Sequence, residues 1–94
     1  LGAAHAADPT VYTLEMKGGT FVPSTLQVPA GQKVRLIVKN EEKTQTEFES
    51  YKLDKEQKIE SGRSVDMFVG PLEAGEYPIF DDNNPDTTGK IIAK

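Results

Sequence analysis

Short runs of Val, Ile, Leu, Phe and Tyr recur along the whole chain, each cut off by glycine, proline or asparagine. Nothing between them sustains a helical apolar period. That pattern leaves one fold class, all-β. The runs predict strands near Val11–Met16, Thr25–Pro29, Lys33–Asn40, Thr46–Tyr51, Ser64–Val69, Gly75–Phe80 and Gly89–Lys94. Turns are expected at Lys17-Gly18-Gly19, Ala30-Gly31-Gln32, Glu41–Lys43, Gly70-Pro71 and Glu73–Gly75. Leu53–Lys58 fits either a single helical turn or a weak edge strand. Strands at this spacing in 94 residues suit a β-sandwich with Greek-key connections. Val34, Leu36 and Val38 would face its core, as would Val65, Met67 and Val69, and Tyr77, Ile79, Ile91 and Ala93.

The length allows one domain. There is no cysteine, which removes disulfides, thiolate-bound copper and Cys-type zinc or iron–sulfur sites together. A formal charge of −4 without a Lys/Arg cluster argues against nucleic acid or an anionic membrane surface as partner. No apolar run approaches membrane-spanning length, so direct membrane insertion is not expected. The opening LGAAHAADPT carries an A-x-A pattern, Ala4-His5-Ala6, of the kind that ends a secretory signal. Residues 1–9 are read as a tail, a signal remnant or simply flexible, and residues 10–94 as the domain. The signal-like pattern points to export into a periplasm. His5 is the single histidine; its ordinary role would be a solvated tail residue, with an amino-terminal copper or nickel clip as the other.

Three stretches carry a family resemblance: FVPSTLQVPAGQKVRLIVKN, then TEFES, then LEAGEYPIFDDNNPDTTGKIIAK. Together they resemble a cupredoxin over nearly all of the chain after Thr10. More narrowly, the EFE and the GPLEAGEY…NP…GK…K pattern resemble the cupredoxin-like domains of bacterial periplasmic ferrous-iron uptake systems of the EfeO and FtrB type. Cupredoxins hold copper with an upstream histidine and a Cys–His–Met loop. Aligned by loop length and the following Gly89-Lys90, those positions fall on Glu47 for the upstream histidine and on Asp81, Asn84 and Thr87 for the loop. The resemblance therefore implies a site stripped of its type 1 copper ligands and given oxygen donors. It also implies metal contacts at Glu47 and Asp81. Some of those iron-uptake domains have a cysteine where this chain has Phe21, a departure that shifts the balance further toward oxygen chemistry.

Residue chemistry points the same way. Glu47 and Glu49 stand two apart on an expected strand and share a face. Close carboxylates repel unless a cation joins them. Glu47, Asp81, Glu49 and Asp82 are the candidate metal ligands, with Met16 as the one soft donor and core filling as its alternative role. A carboxylate set suits an iron ion or oxygen-bound copper, not type 1 blue copper. The plain alternative is a solvated face at EEKTQTEFES and a polar turn at DDNNPD, to which Asn83, Asn84 and Asp86 are mainly assigned.

The function expected from these observations is a periplasmic metal-binding accessory protein of a ferrous-iron uptake system. Its partners would be the metal ion and the periplasmic or membrane subunits of an iron permease, with homodimerisation left open. A ferroxidase or electron-transfer protein and a metal-free interaction module are the competing readings.

Overall fold

The computed structural model describes residues 9–94. The expected tail, with Ala4-His5-Ala6, lies outside the described residues except for Pro9. Nine strands follow in order: β1 Thr10–Lys17, β2 Thr20–Val22, β3 Thr25–Val28, β4 Val34–Asn40, β5 Thr46–Ser50, β6 Lys55–Ile59, β7 Ser64–Val69, β8 Gly75–Asp81 and β9 Asn84–Ala93. Among the described residues there is no helix, and so none long and apolar enough to cross a membrane.

The strands form two sheets, ordered β2-β1-β4-β7 and β3-β9-β8-β5-β6. Each contains one parallel pair, β1 with β4 and β3 with β9, and is otherwise antiparallel. The core lies between them. Leu14, Val34, Leu36, Val38, Phe48, Ile79 and Ile91 are all almost completely buried there. The alternation read from Val34, Leu36 and Val38 holds because their β4 neighbours, on the other face, are only half-buried or exposed. Val65 and Met67 oppose Val38 and Leu36 but stay half-buried, because β7 is an edge strand. Phe21 packs edge-on against Phe48, with ring centroids 6.2 Å apart.

Two elements differ from the expectation, and a third settles an alternative that it left open. β2 is too short to show a pattern of its own and exists as the return of the Gly18-Gly19 turn against β1. Of the two forms open to Leu53–Lys58, the structure has the edge strand, β6, paired along all of β5. The expected acidic loop before Gly89 is instead mostly strand. β8 and β9 close around Asp82-Asn83, with Asp81 opposite Asn84, and Pro85–Thr87 bulge out before Thr88 pairs with Phe80. Downstream, Gly89 is required by contact: a Cβ there would come within 2.8 Å of the Ser24 carbonyl, where β3 joins β9.

Candidate metal centre

Two groups of oxygen donors lie near the β8–β9 turn, on opposite sides of β5. The period of two separates them. Thr46 and Phe48 point inward, so Glu47 and Glu49 point out of the sandwich. The side chain entering the end of the core from β5 is therefore Thr46, one residue before the Glu47 position that loop alignment selects. Its hydroxyl donates to the Met16 sulfur at 3.3 Å. Met16 is fully buried and serves as core.

Around that inner pole every buried polar side chain has a partner. Asn40 donates to the Thr44 and Ile59 carbonyls, each at 2.8 Å, and its Oδ1 accepts the Glu42 N–H at 2.8 Å. The Glu42 carboxylate accepts the N–H groups of Gly18 and Gly19, at 3.0 and 2.7 Å. Thr87 donates to the Gly19 carbonyl at 2.9 Å and accepts from Asn84 at 3.0 Å.

Asp81 belongs to this pole. Its Oδ1 accepts the Asn83 N–H at 3.0 Å, the side-chain-to-backbone bond that shapes an Asx turn, and the Glu47 N–H at 2.8 Å. Glu47 and Asp81 thus meet, but through the Glu47 backbone rather than its carboxylate. The Asp82 N–H returns the tie by donating to the Glu47 carbonyl at 2.8 Å. These two bonds pin the turn to β5 and set Asp82, not Asp81, beside the outward glutamates.

On the outer face one carboxylate oxygen each from Glu47, Glu49 and Asp82 lies within 4.8 Å of the others. Glu47 is 6 % and Glu49 8 % exposed, while Asp82 is open to solvent. Across the strand pair, Lys58 opposes Glu47 and Glu56 opposes Glu49. Neither buried glutamate is in an ion pair with a basic residue among those described.

The Glu47 carboxyl titrates above the usual carboxylate range, first because it shares a hydrogen bond with Glu56. Loss of hydration and the charges of Glu56 and Asp82 add to this, and Lys58 opposes it. Glu49 is raised chiefly by loss of hydration, then by the charges of Asp82 and Glu56; a hydrogen bond from Tyr51 works the other way. The structure thus brings Glu47, Glu49 and Asp82 together from the expected ligand set and leaves Asp81 and Met16 apart. Glu56 is the member that sequence reading missed. Its signal was the pairing of KEQKI with TEFES, which places an acid opposite Glu49.

A model of the cupredoxin-like domain matches residues 1–93. The chain belongs to the cupredoxin-like domain family. Among curated proteins it is 38 % identical over 79 residues to the uncharacterised protein RP394 of Rickettsia prowazekii (strain Madrid E), spanning 84 % of this chain and 63 % of that protein's length. Among solved structures it is similar to auracyanin A, a blue copper protein from Chloroflexus aurantiacus, with TM-score 0.72 and 20 % identity over 93 % of this chain and all of that one. It is also similar to amicyanin from Paracoccus versutus, with TM-score 0.68 and 18 % identity over 96 % and 85 % of the two chains. A purple cupredoxin from Nitrosopumilus maritimus gives TM-score 0.65 and 13 % identity over 87 % and 98 %. At these identities the solved structures establish the fold alone.

Type 1 copper does not fit this cupredoxin-like domain. No thiolate exists in the chain, and the carboxylate that alignment sets in the thiolate's place, Asp81, is bonded to two backbone amides. The oxygen donors free to hold an ion are on the outer face.

Proposed function

We propose that this cupredoxin-like domain binds a hard metal ion, iron or oxygen-bound copper, on the outer face of its five-stranded sheet through Glu47, Glu49 and Asp82. One observation carries the reading: two carboxylates more than nine-tenths buried, raised in pKa and in no salt bridge among the described residues, lie beside a third. Folding brings these charges together against their repulsion, and a cation is the ligand that relieves it. Asp81 and Met16 act as supports in this arrangement, the first holding the turn and the second filling the core beneath Thr46.

We further propose, on the TEFES and GPLEAGEY…NP…GK resemblance, that the domain serves a ferrous-iron uptake system in the periplasm, delivering the ion to a permease subunit. Anaerobic melting curves test the binding. Fe(II) or Mn(II) should raise the melting temperature of the parent at neutral pH, and Glu49→Gln should remove the rise. Unmoved curves for the parent with Fe(II), Mn(II) and Cu(II) would hand the function to the interaction-module reading. The observation that favours that second reading is Tyr51, 79 % exposed beside the half-buried Phe80.

A further inference from the structure

β6 closes one edge of the five-stranded sheet, and no strand among the described residues lies beyond it. Its partner decides which backbone groups it turns outward. Glu47 donates its N–H to Asp81 and accepts the Asp82 N–H on its carbonyl, so its main chain bonds toward β8 and not toward β6. Lys58 pairs with Glu47 and Glu56 with Glu49, and bonding alternates along an antiparallel pair. The N–H and C=O groups of Glu56 and Lys58 therefore point away from β5. The Gln57 side chain folds onto one of them, donating to the Lys58 carbonyl at 3.1 Å in an exposed setting.

Charged side chains on an edge deter pairing with unrelated strands, but those of β6 complement their own copy. In an antiparallel pair centred on Gln57, Glu56 stands opposite Lys58 of the second copy, and Lys58 opposite its Glu56. Neither residue is in an ion pair among the described residues, so both charges are free for a partner. They are also the residues with outward backbone groups, so four N–H···O bonds and two opposite-charge pairs form together. Sliding either copy by two residues sets Glu56 against Glu56 or Lys58 against Lys58, and sliding by one reverses the faces. Charge thus selects one register. We infer that the β6 edge docks a second copy of this chain about a two-fold axis at Gln57, joining the two five-stranded sheets into one. This interface goes beyond the metal reading and does not depend on it.

Sedimentation with EDTA present, from micromolar to millimolar protein, should show the parent's mass rising toward that of two chains. Glu56→Lys sets like charges opposite each other twice and should weaken association about tenfold or more, as should Lys58→Glu. The exchanged variant Glu56→Lys/Lys58→Glu should recover it, and melting curves check that each variant is folded. Cross-linking reads the register, because the chain has no cysteine of its own. Gln57 would face its own copy as a non-hydrogen-bonded pair with Cα atoms about 4.5 Å apart, within disulfide reach. Gln57→Cys should therefore oxidise to a covalent dimer faster than Glu56→Cys. A parent that stays monomeric throughout, or a dimer that neither charge reversal weakens, would overturn the inference. Faster cross-linking of Glu56→Cys would overturn the register.

Discussion

The inner pole and the outer face of β5 are both rich in oxygen donors, and they differ in whether those donors are already in use. At the pole, Asn40, Glu42, Asp81 and Thr87 each satisfy named backbone groups, so their conservative loss should be felt as lost stability. On the face, Glu47, Glu49, Glu56 and Asp82 crowd together with one opposing cation, Lys58. The lesson is that a polar residue standing at a relative's ligand position can have become scaffold, while a neighbour one step along the strand carries the free chemistry.

The largest effect that separates the two regions should come from Asn40→Ala. It takes a buried hydrogen bond from the Ile59 carbonyl and part-buried ones from the Thr44 carbonyl and the Glu42 amide, a cost of about 3 kcal/mol. Chemical denaturation should show that loss, while the folded fraction still responds to metal. If the metal response vanished as well, the two regions would not be independent.

Next in size is the metal response itself. An ion that binds only the folded state at a hundredfold excess over its Kd stabilises it by about 2.7 kcal/mol. Calorimetric titration with Cu(II) should show Glu47→Gln and Glu49→Gln weakening affinity by at least the ten- to hundredfold that loss of an outer-shell partner costs. The double variant should lose less than the sum of the two, because either change already dismantles the site. Asp81→Asn, which keeps an oxygen on the Asn83 and Glu47 amides, should bind nearly as the parent does; equal loss in all three would return the site to the pole. None of the copper complexes should be blue.

A smaller effect distinguishes the regions by pH. The folded-state pKa values of Glu47 and Glu49 are raised, so between the unfolded value near 4.5 and the folded value the native state holds more protons than the unfolded one. Their contribution to the metal-free protein therefore improves as pH falls through that window and worsens as it rises. The metal increment has the opposite sign, because its ligands must be ionised. Melting temperatures of metal-free and Mn(II)-loaded protein should converge on acidification, and in Glu47→Gln/Glu49→Gln the convergence should disappear. The smallest effect is expected for Asp86→Asn, an exposed residue of the bulge, which should leave both stability and affinity unchanged in the same titrations.

The fold was legible where burial imposes a period. Val34, Leu36 and Val38 announce β4, and the Glu47–Glu49 spacing announces a shared face. It was not legible where pairing with a neighbour decides. KEQKI has no apolar alternation and becomes β6 by adding to the edge of β5, which is how Glu56 joins the cluster. Choosing between Asp81 and Asp82 was beyond pattern reading too. Alignment by length presumes an open loop, whereas the turn closes at Asp82-Asn83 and a register shift between Phe80 and Asp81 decides which carboxylate goes inward. Thr46 was passed over because a threonine in a polar run gives no sign that its hydroxyl ends on a buried sulfur.

The turn's double tie to β5, Glu47 N–H to Asp81 and Asp82 N–H to the Glu47 carbonyl, fixes the backbone from which Glu47 and Asp82 project. On the proposed function, little backbone ordering is left for binding to accomplish, which favours affinity. The same tie confines the donors to one side of a sheet, so an ion seated there keeps a hemisphere for water or for an incoming ligand. Under the proposed function, a recipient protein attaches to that open side before the first donors let go, and the ion changes hands without passing through solution.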